Sequence, residues 1–105
     1  MSKIVLKKIK RAESMFARGI GVIGWEDFGD YNGLFLINTN SIHTYFVRFP
    51  LDLVFVDKEL TVVKLVKNLK PFRLSPIVWE SKHVLEMPAG SIEKFSIKTG
   101  NKLDF

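Results

Sequence analysis

A chain of 105 residues is long enough for one domain and too short for two independent cores. It contains no cysteine, which excludes disulfides and thiolate metal sites and agrees with a reducing interior or with life at high temperature. Its apolar fraction of 47% is ordinary for a globular fold, no run approaches membrane-spanning length, and the apolar segment after Met1 is too short for a signal peptide. The chain therefore reads as soluble, cytoplasmic and without a membrane partner.

The net charge of +5 is clustered. Lys3, Lys7, Lys8, Lys10, Arg11 and Arg18 face only Glu13 in the first eighteen residues, and Lys58, Lys64, Lys67, Lys70 and Arg73 form a second group offset within that span by Glu59. Such clusters attract nucleic acid, but no Gly-aromatic RNA-binding signature accompanies them, and lysines on the solvent faces of edge strands explain them more simply.

Residues 3–10 read as a first strand of imperfect alternation, and Ala12 to Ile23 carries apolar residues near helical spacing, so a short helix is expected there. Gly19, Gly21 and Gly24 fray it, and their spacing lacks the Gly-Lys-Ser/Thr ending of a phosphate loop. Residues 25–32 are rich in turn formers, and Gly33–Asn38 reads as a short buried strand.

Residues 41–57 are the densest apolar run and hold His43, Arg48 and Asp52, each costly to bury without a partner. Pro50 lacks an N–H for a ladder, so two strands are expected, at about 44–49 and 51–57. Alternation assigns His43, Tyr45, Val47, Phe49, Leu51, Leu53 and Phe55 to a core face and Thr44, Arg48 and Asp52 to the other. A four-residue step spans about 13 Å, so Arg48 reaches Asp52 only if the chain bends at Pro50, or each finds a partner elsewhere.

A hairpin follows around Asp57-Lys58-Glu59, its second strand running on toward Lys70, where Pro71 ends it. Leu74–Lys82 is irregular, residues 83–87 form a strand, and Ser91 is placed to cap a single helical turn after the turn Pro88-Ala89-Gly90. Residues 102–105 close the sheet. The fold class is mainly β (β-rich α+β): a single compact domain built on an antiparallel curved sheet or partly closed barrel, with one or two short helices.

Several motifs carry a family likeness. Gly21-Val22-Ile23-Gly24, Gly33-Leu34-Phe35-Leu36, the segment from Asn40 to Asp52, Leu69-Lys70-Pro71-Phe72-Arg73 and Val84-Leu85-Glu86-Met87-Pro88-Ala89-Gly90 occur in order. On these the chain resembles the domain of unknown function 192 family of small prokaryotic proteins, and the resemblance implies a compact β-rich domain and no established activity. Trp25, Thr39, Val47, Phe72 and Asn101 depart from the family pattern, and Thr39 and Val47 stand where cysteine and methionine are common, which argues against sulfur chemistry.

The candidate ligand-binding residues are His43, Thr44, Arg48, Asp52, Arg73 and Glu86. Arginine forks beside a histidine suit a carboxylate, phosphate or sugar acid, so the expected function is a binding or accessory domain with a polar pocket for a small anionic or polyhydroxylated ligand. Against it stand structural roles: a backbone-bonded His43, an Arg48 that neutralises Asp52 or Glu86, and an Arg73 paired with Glu80. The first alternative is a hydrolase or lyase using His43 with Asp52 or Glu86; the second is nucleic-acid binding through the basic groups. His43, His83 and Asp52 lack metal-ligand spacing, so no metal or other cofactor is expected.

Overall fold

The computed structural model describes residues 3–12 and 21–105. Among the described residues, seven strands and one short helix follow in chain order: β1 (Lys3–Val5), β2 (Ile9–Ala12), β3 (Gly33–Leu36), β4 (Leu51–Val56), β5 (Val62–Leu69), β6 (His83–Pro88), α1 (Ser91–Lys94) and β7 (Lys102–Asp104). Five strands form a sheet in the order β2-β3-β6-β4-β5, and β1 pairs with β7. The two sheets meet where Thr61 bridges Lys102 and Leu103 donates to the Leu60 carbonyl at 2.9 Å. The result is a curved, incompletely closed β structure, as its sequence class requires.

β4 is an interior strand, between β6 and β5, and all six of its residues are buried. Leu51, Leu53 and Phe55 join Leu34, Leu36 and Val84 in one apolar cluster, roofed by Val22, Phe28, Val47 and Val78 from the loops. Val54 and Val56 face the other way, into a cluster with Phe35, Leu85 and Met87 that is closed by Leu6, Ile92, Ile97 and Leu103. A buried run of Leu, Val and Phe, interrupted only by Asp52, suits a strand covered on both faces. Gly33 lets β3 in beside β6: a Cβ there would stand 3.0 Å from the Glu86 carbonyl oxygen.

Several expectations need correcting. Residues 44–49 are not a strand; only His43 makes an isolated bridge, to Leu74, and Phe46 has a left-handed backbone (φ 64°) that breaks the alternation. His43 and Tyr45, assigned to the core face, are therefore exposed, while Thr44 on the other face is fully buried. The first strand is two, divided at Leu6–Lys8, where Lys8 is left-handed (φ 58°). Pairing is not wholly antiparallel, since β1–β7 and β2–β3 are parallel. The helix expected over 12–23 falls mainly on residues outside those described; Ala12 ends β2 and residues 21–24 form a turn.

Candidate functional site

Two loops lie side by side at the start of β4. Residues 40–44 run against 72–78: Val78 donates to the Asn40 carbonyl at 2.9 Å, Ser75 to that of Ile42 at 2.9 Å, and Thr44 to that of Arg73 at 2.8 Å. Thr44 is the knot. Its hydroxyl donates to the Lys70 carbonyl and accepts from the Arg73 amide at 2.8 Å, and its own carbonyl accepts from Phe72 at 2.9 Å. A buried hydroxyl used as donor and acceptor fixes both loops with no polar atom wasted.

What the knot displays is aromatic. Phe46 is 71% exposed and Phe72 55%, their ring centroids 5.8 Å apart, and Tyr45 lies 6.1 Å from Phe72 and 5.5 Å from the His43 ring. Phe72 shares the left-handed backbone of Phe46, with φ 61°. That region costs a side-chain-bearing residue about 1–2 kcal/mol, so two exposed phenylalanines there are held by their surroundings rather than by preference. The exposed His43 accepts the Tyr45 amide at Nδ1 (3.2 Å), and the Arg73 guanidinium donates to the neighbouring Phe72 carbonyl at 3.3 Å.

Asp52 sits elsewhere. Its Oδ1 accepts the Asn68 amide at 2.9 Å, and its Oδ2 accepts those of Gly90 at 3.1 Å and Ile92 at 2.9 Å. One buried carboxylate thus ties a β5 residue beside the register shift in the β4–β5 ladder to the start of α1. The expected Ser91 cap is replaced: the Ser91 hydroxyl donates back to the Pro88 carbonyl at 2.6 Å, and the helix amide is served from a residue 40 positions away. Asp52 and Ile92 are neighbours only in space, so no local motif announces the cap.

Glu86 is the opposite case. It lies on β6 between Leu34 and Leu53, on the face of the larger loop-covered cluster, and is 3% exposed. Its Oε1 is buried with no hydrogen-bond partner among the described residues, and burial pushes the carboxyl up to about 8. The group is then protonated at neutral pH and able to donate. Gly21 closes over it: with φ 54°, a Cβ at that position would stand 3.1 Å from Oε1.

Arg48 pairs with Glu26 at 3.9 Å on the surface, both side chains well exposed, rather than with Asp52 or Glu86. The pair contributes little at that exposure. His83 accepts the Asn38 amide at Nδ1 (3.0 Å) and stacks 5.1 Å from Phe35; burial, followed by Lys82 and Arg11, pulls its pKa below the usual histidine range. Among the described residues no three His, Asp or Glu side chains gather as a metal site.

The six sequence candidates are thus dispersed. His43, Thr44 and Arg73 share the loop pair, Arg48 lies on the surface, Asp52 clamps α1, and Glu86 is interior. Two open clefts lie apart from all six, one of about 550 Å³ between Phe28, Phe49 and Pro88, the other of about 570 Å³ beside Lys10, Trp25 and Tyr31. Of the exposed aromatic residues, alternation assigned Tyr45 to the core face and Phe46 to the face with Thr44 and Arg48, and Phe72 was singled out only as a departure from the family pattern.

A curved, partly closed β domain with a pinned aromatic loop pair and two buried acids defines the class of protein. The family model DUF192, "Uncharacterized ACR, COG1430", matches residues 2–105, and the chain belongs to that family. A UPF0127 protein of Thermococcus sibiricus is 26% identical over 98% of this chain and 69% of its own length, and one of Pyrococcus furiosus is 34% identical over 62% of this chain and 55% of its own. Among solved structures, a protein of unknown function from Novosphingobium aromaticivorans superposes with a TM-score of 0.78 at 21% identity, covering 88% of this chain and 70% of that one. A Sinorhizobium meliloti protein, described provisionally as a transcription regulator, gives 0.76 at 19%, covering 88% and 76%. Both likenesses concern the fold.

Proposed function

We propose that this chain is a binding domain whose anion-recognising surface is the loop pair 42–49 and 70–77, with Arg73 and His43 as the polar contacts and Thr44 as the residue that positions them. The observation that carries this is the display of Phe46 and Phe72 on left-handed backbone, exposed and in ring contact, beside Arg73. Strain held at exposed aromatic residues is a mark of a binding surface, since packing alone would not select it. Of the six sequence candidates, Asp52 is read as structural and Arg48 as a rim residue. A hydrolase using His43 needs it within reach of a carboxylate; no hydrogen bond joins it to Asp52 or Glu86 among the described residues, and its Nδ1 is engaged by Tyr45.

Calorimetric titration with inorganic phosphate, glycerol phosphate, glucuronate and neutral sugars is the test. Saturable heat with an anion, reduced at least about tenfold by Arg73→Ala, is expected for loss of one charge-assisted contact. Silence across the panel would end the proposal.

A second reading attaches to Glu86, which favours a hydroxylated ligand over an anion. A protonated carboxyl both donates to and accepts from a hydroxyl group, and its Oε1 is unpartnered. Access requires the Gly21 turn to lift, so sugar binding that vanishes in Glu86→Leu while anion binding persists is the expected signature.

A further inference from the structure

The exposed apolar surface of the loop pair is larger than a small anion needs. Trp79 is 79% exposed, Leu74 68% and Ile77 54%, all on the segment that continues from Phe72. Single exposed apolar residues are common on soluble proteins, but these fall together on two segments held side by side by the Thr44 knot. Residues 41–49 and 70–79 contain Arg48, Lys70 and Arg73 and not one Asp or Glu. Exposed aromatic and aliphatic side chains beside Lys70 and Arg73, with Glu26 paired to Arg48 and Glu80 after Trp79 as the adjoining acids, call for a partner that is anionic outside and hydrocarbon within.

We propose that this face docks on an anionic lipid bilayer, with Phe46, Phe72, Leu74 and Trp79 entering the interfacial layer while Lys70 and Arg73 pair with lipid phosphates. The proposal rests on the anion-binding reading of the same loops and supplies the source of the anion. Interfacial binding grows with apolar area buried and with attraction to anionic headgroups, and Trp is the residue best suited to the headgroup level. A second copy of the chain is a poorer occupant, because a two-fold contact sets the same basic surface against itself with no acid in either segment. Single-stranded nucleic acid is poorer too, since Leu74 and Ile77 offer bases no ring to stack on. The expectation of no membrane partner came from the lack of a spanning segment, and among the described residues no helix is long and apolar enough to cross; contact from one side is a separate matter.

Co-sedimentation of the full chain with vesicles of phosphatidylglycerol and phosphatidylcholine, against phosphatidylcholine alone, tests this. Binding to the anionic vesicles is expected, weakening as salt rises, with a blue shift of tryptophan emission that Trp79→Phe abolishes. Phe46→Ala/Phe72→Ala is expected to lower partitioning by about tenfold or more with an unchanged melting temperature, since both rings are exposed. No binding to anionic vesicles at low salt, or binding indifferent to that double variant, overturns the proposal. So does retardation of nucleic acid, or a dimer in light scattering, if the same double variant abolishes it. Binding of glycerol phosphate without vesicle binding sinks the membrane docking and spares the anion site; absence of both sinks both.

Discussion

Two buried acids stand on adjacent central strands and meet opposite fates. Asp52, 2% exposed at the second position of β4, has both oxygens engaged by three amides from β5 and the start of α1. Glu86, 3% exposed on β6, has an oxygen with no partner and lies between leucines. The difference lies in which backbone ends nearby. Asp52 meets a strand irregularity and a helix start, both of which leave amides spare, whereas the Glu86 carboxyl lies between Leu34 and Leu53 beneath the Gly21 turn, where among the described residues no donor reaches Oε1. A buried carboxyl without donors keeps its proton rather than its charge.

The sharpest way to break the comparison is to remove the clamp. Asp52→Ala strands three amides, two of them at the start of α1, and should cost about 3–5 kcal/mol by urea denaturation. Hydrogen exchange at Asn68, Gly90 and Ile92 should accelerate with it. A loss under about 1 kcal/mol would show that water serves those amides equally well.

Glu86 carries the next largest effect, and its sign is opposite. Its folded pKa of about 8 lies above the ordinary 4.5, so between those values the folded state holds a proton that the unfolded chain releases. Stability is therefore greatest below pH 4.5 and falls as pH rises toward 8, by roughly 1.4 kcal/mol per unit from this group. Glu86→Gln should flatten that slope and raise stability at pH 7 by about 3 kcal/mol, less whatever the unpaired amide costs. Parallel pH profiles for the two proteins would mean that Glu86 is ionised in the fold.

Gly21→Ala should cost about 1–2 kcal/mol, from a left-handed backbone and a methyl group against Oε1. Combined with Glu86→Ala the steric part of that loss should shrink, which a double-mutant cycle reads directly. Smallest of all, Arg48→Ala should change stability by less than about 0.5 kcal/mol, because its Glu26 partner is even more exposed than Arg48 itself.

Much of the fold was legible in the residues. The hydrophobic run from Leu51 to Val56, the Asp57–Glu59 connection, the strand before Pro88 and the short turn of helix after it all follow from local pattern, since burial and turn chemistry act over a few residues. Asp52 was legible as a charge needing a partner, but its partners lie 16, 38 and 40 residues away, and their spare amides exist only once β5 and α1 are placed.

The loop pair divides the same way. Pro50 marked a break in the sequence, yet the fate of residues 44–49 depended on Thr44 finding Lys70 and Arg73 across the fold. With that contact made, Phe46 and Tyr45 are both exposed, Tyr45 against the alternation of the chain. By itself the sequence determined a β-rich domain, its most buried strand and its family, because apolar periodicity and ordered motifs are local properties. Tertiary structure alone decided which polar groups are satisfied and which aromatic rings face solvent, because a hydrogen-bond partner is a matter of position in space.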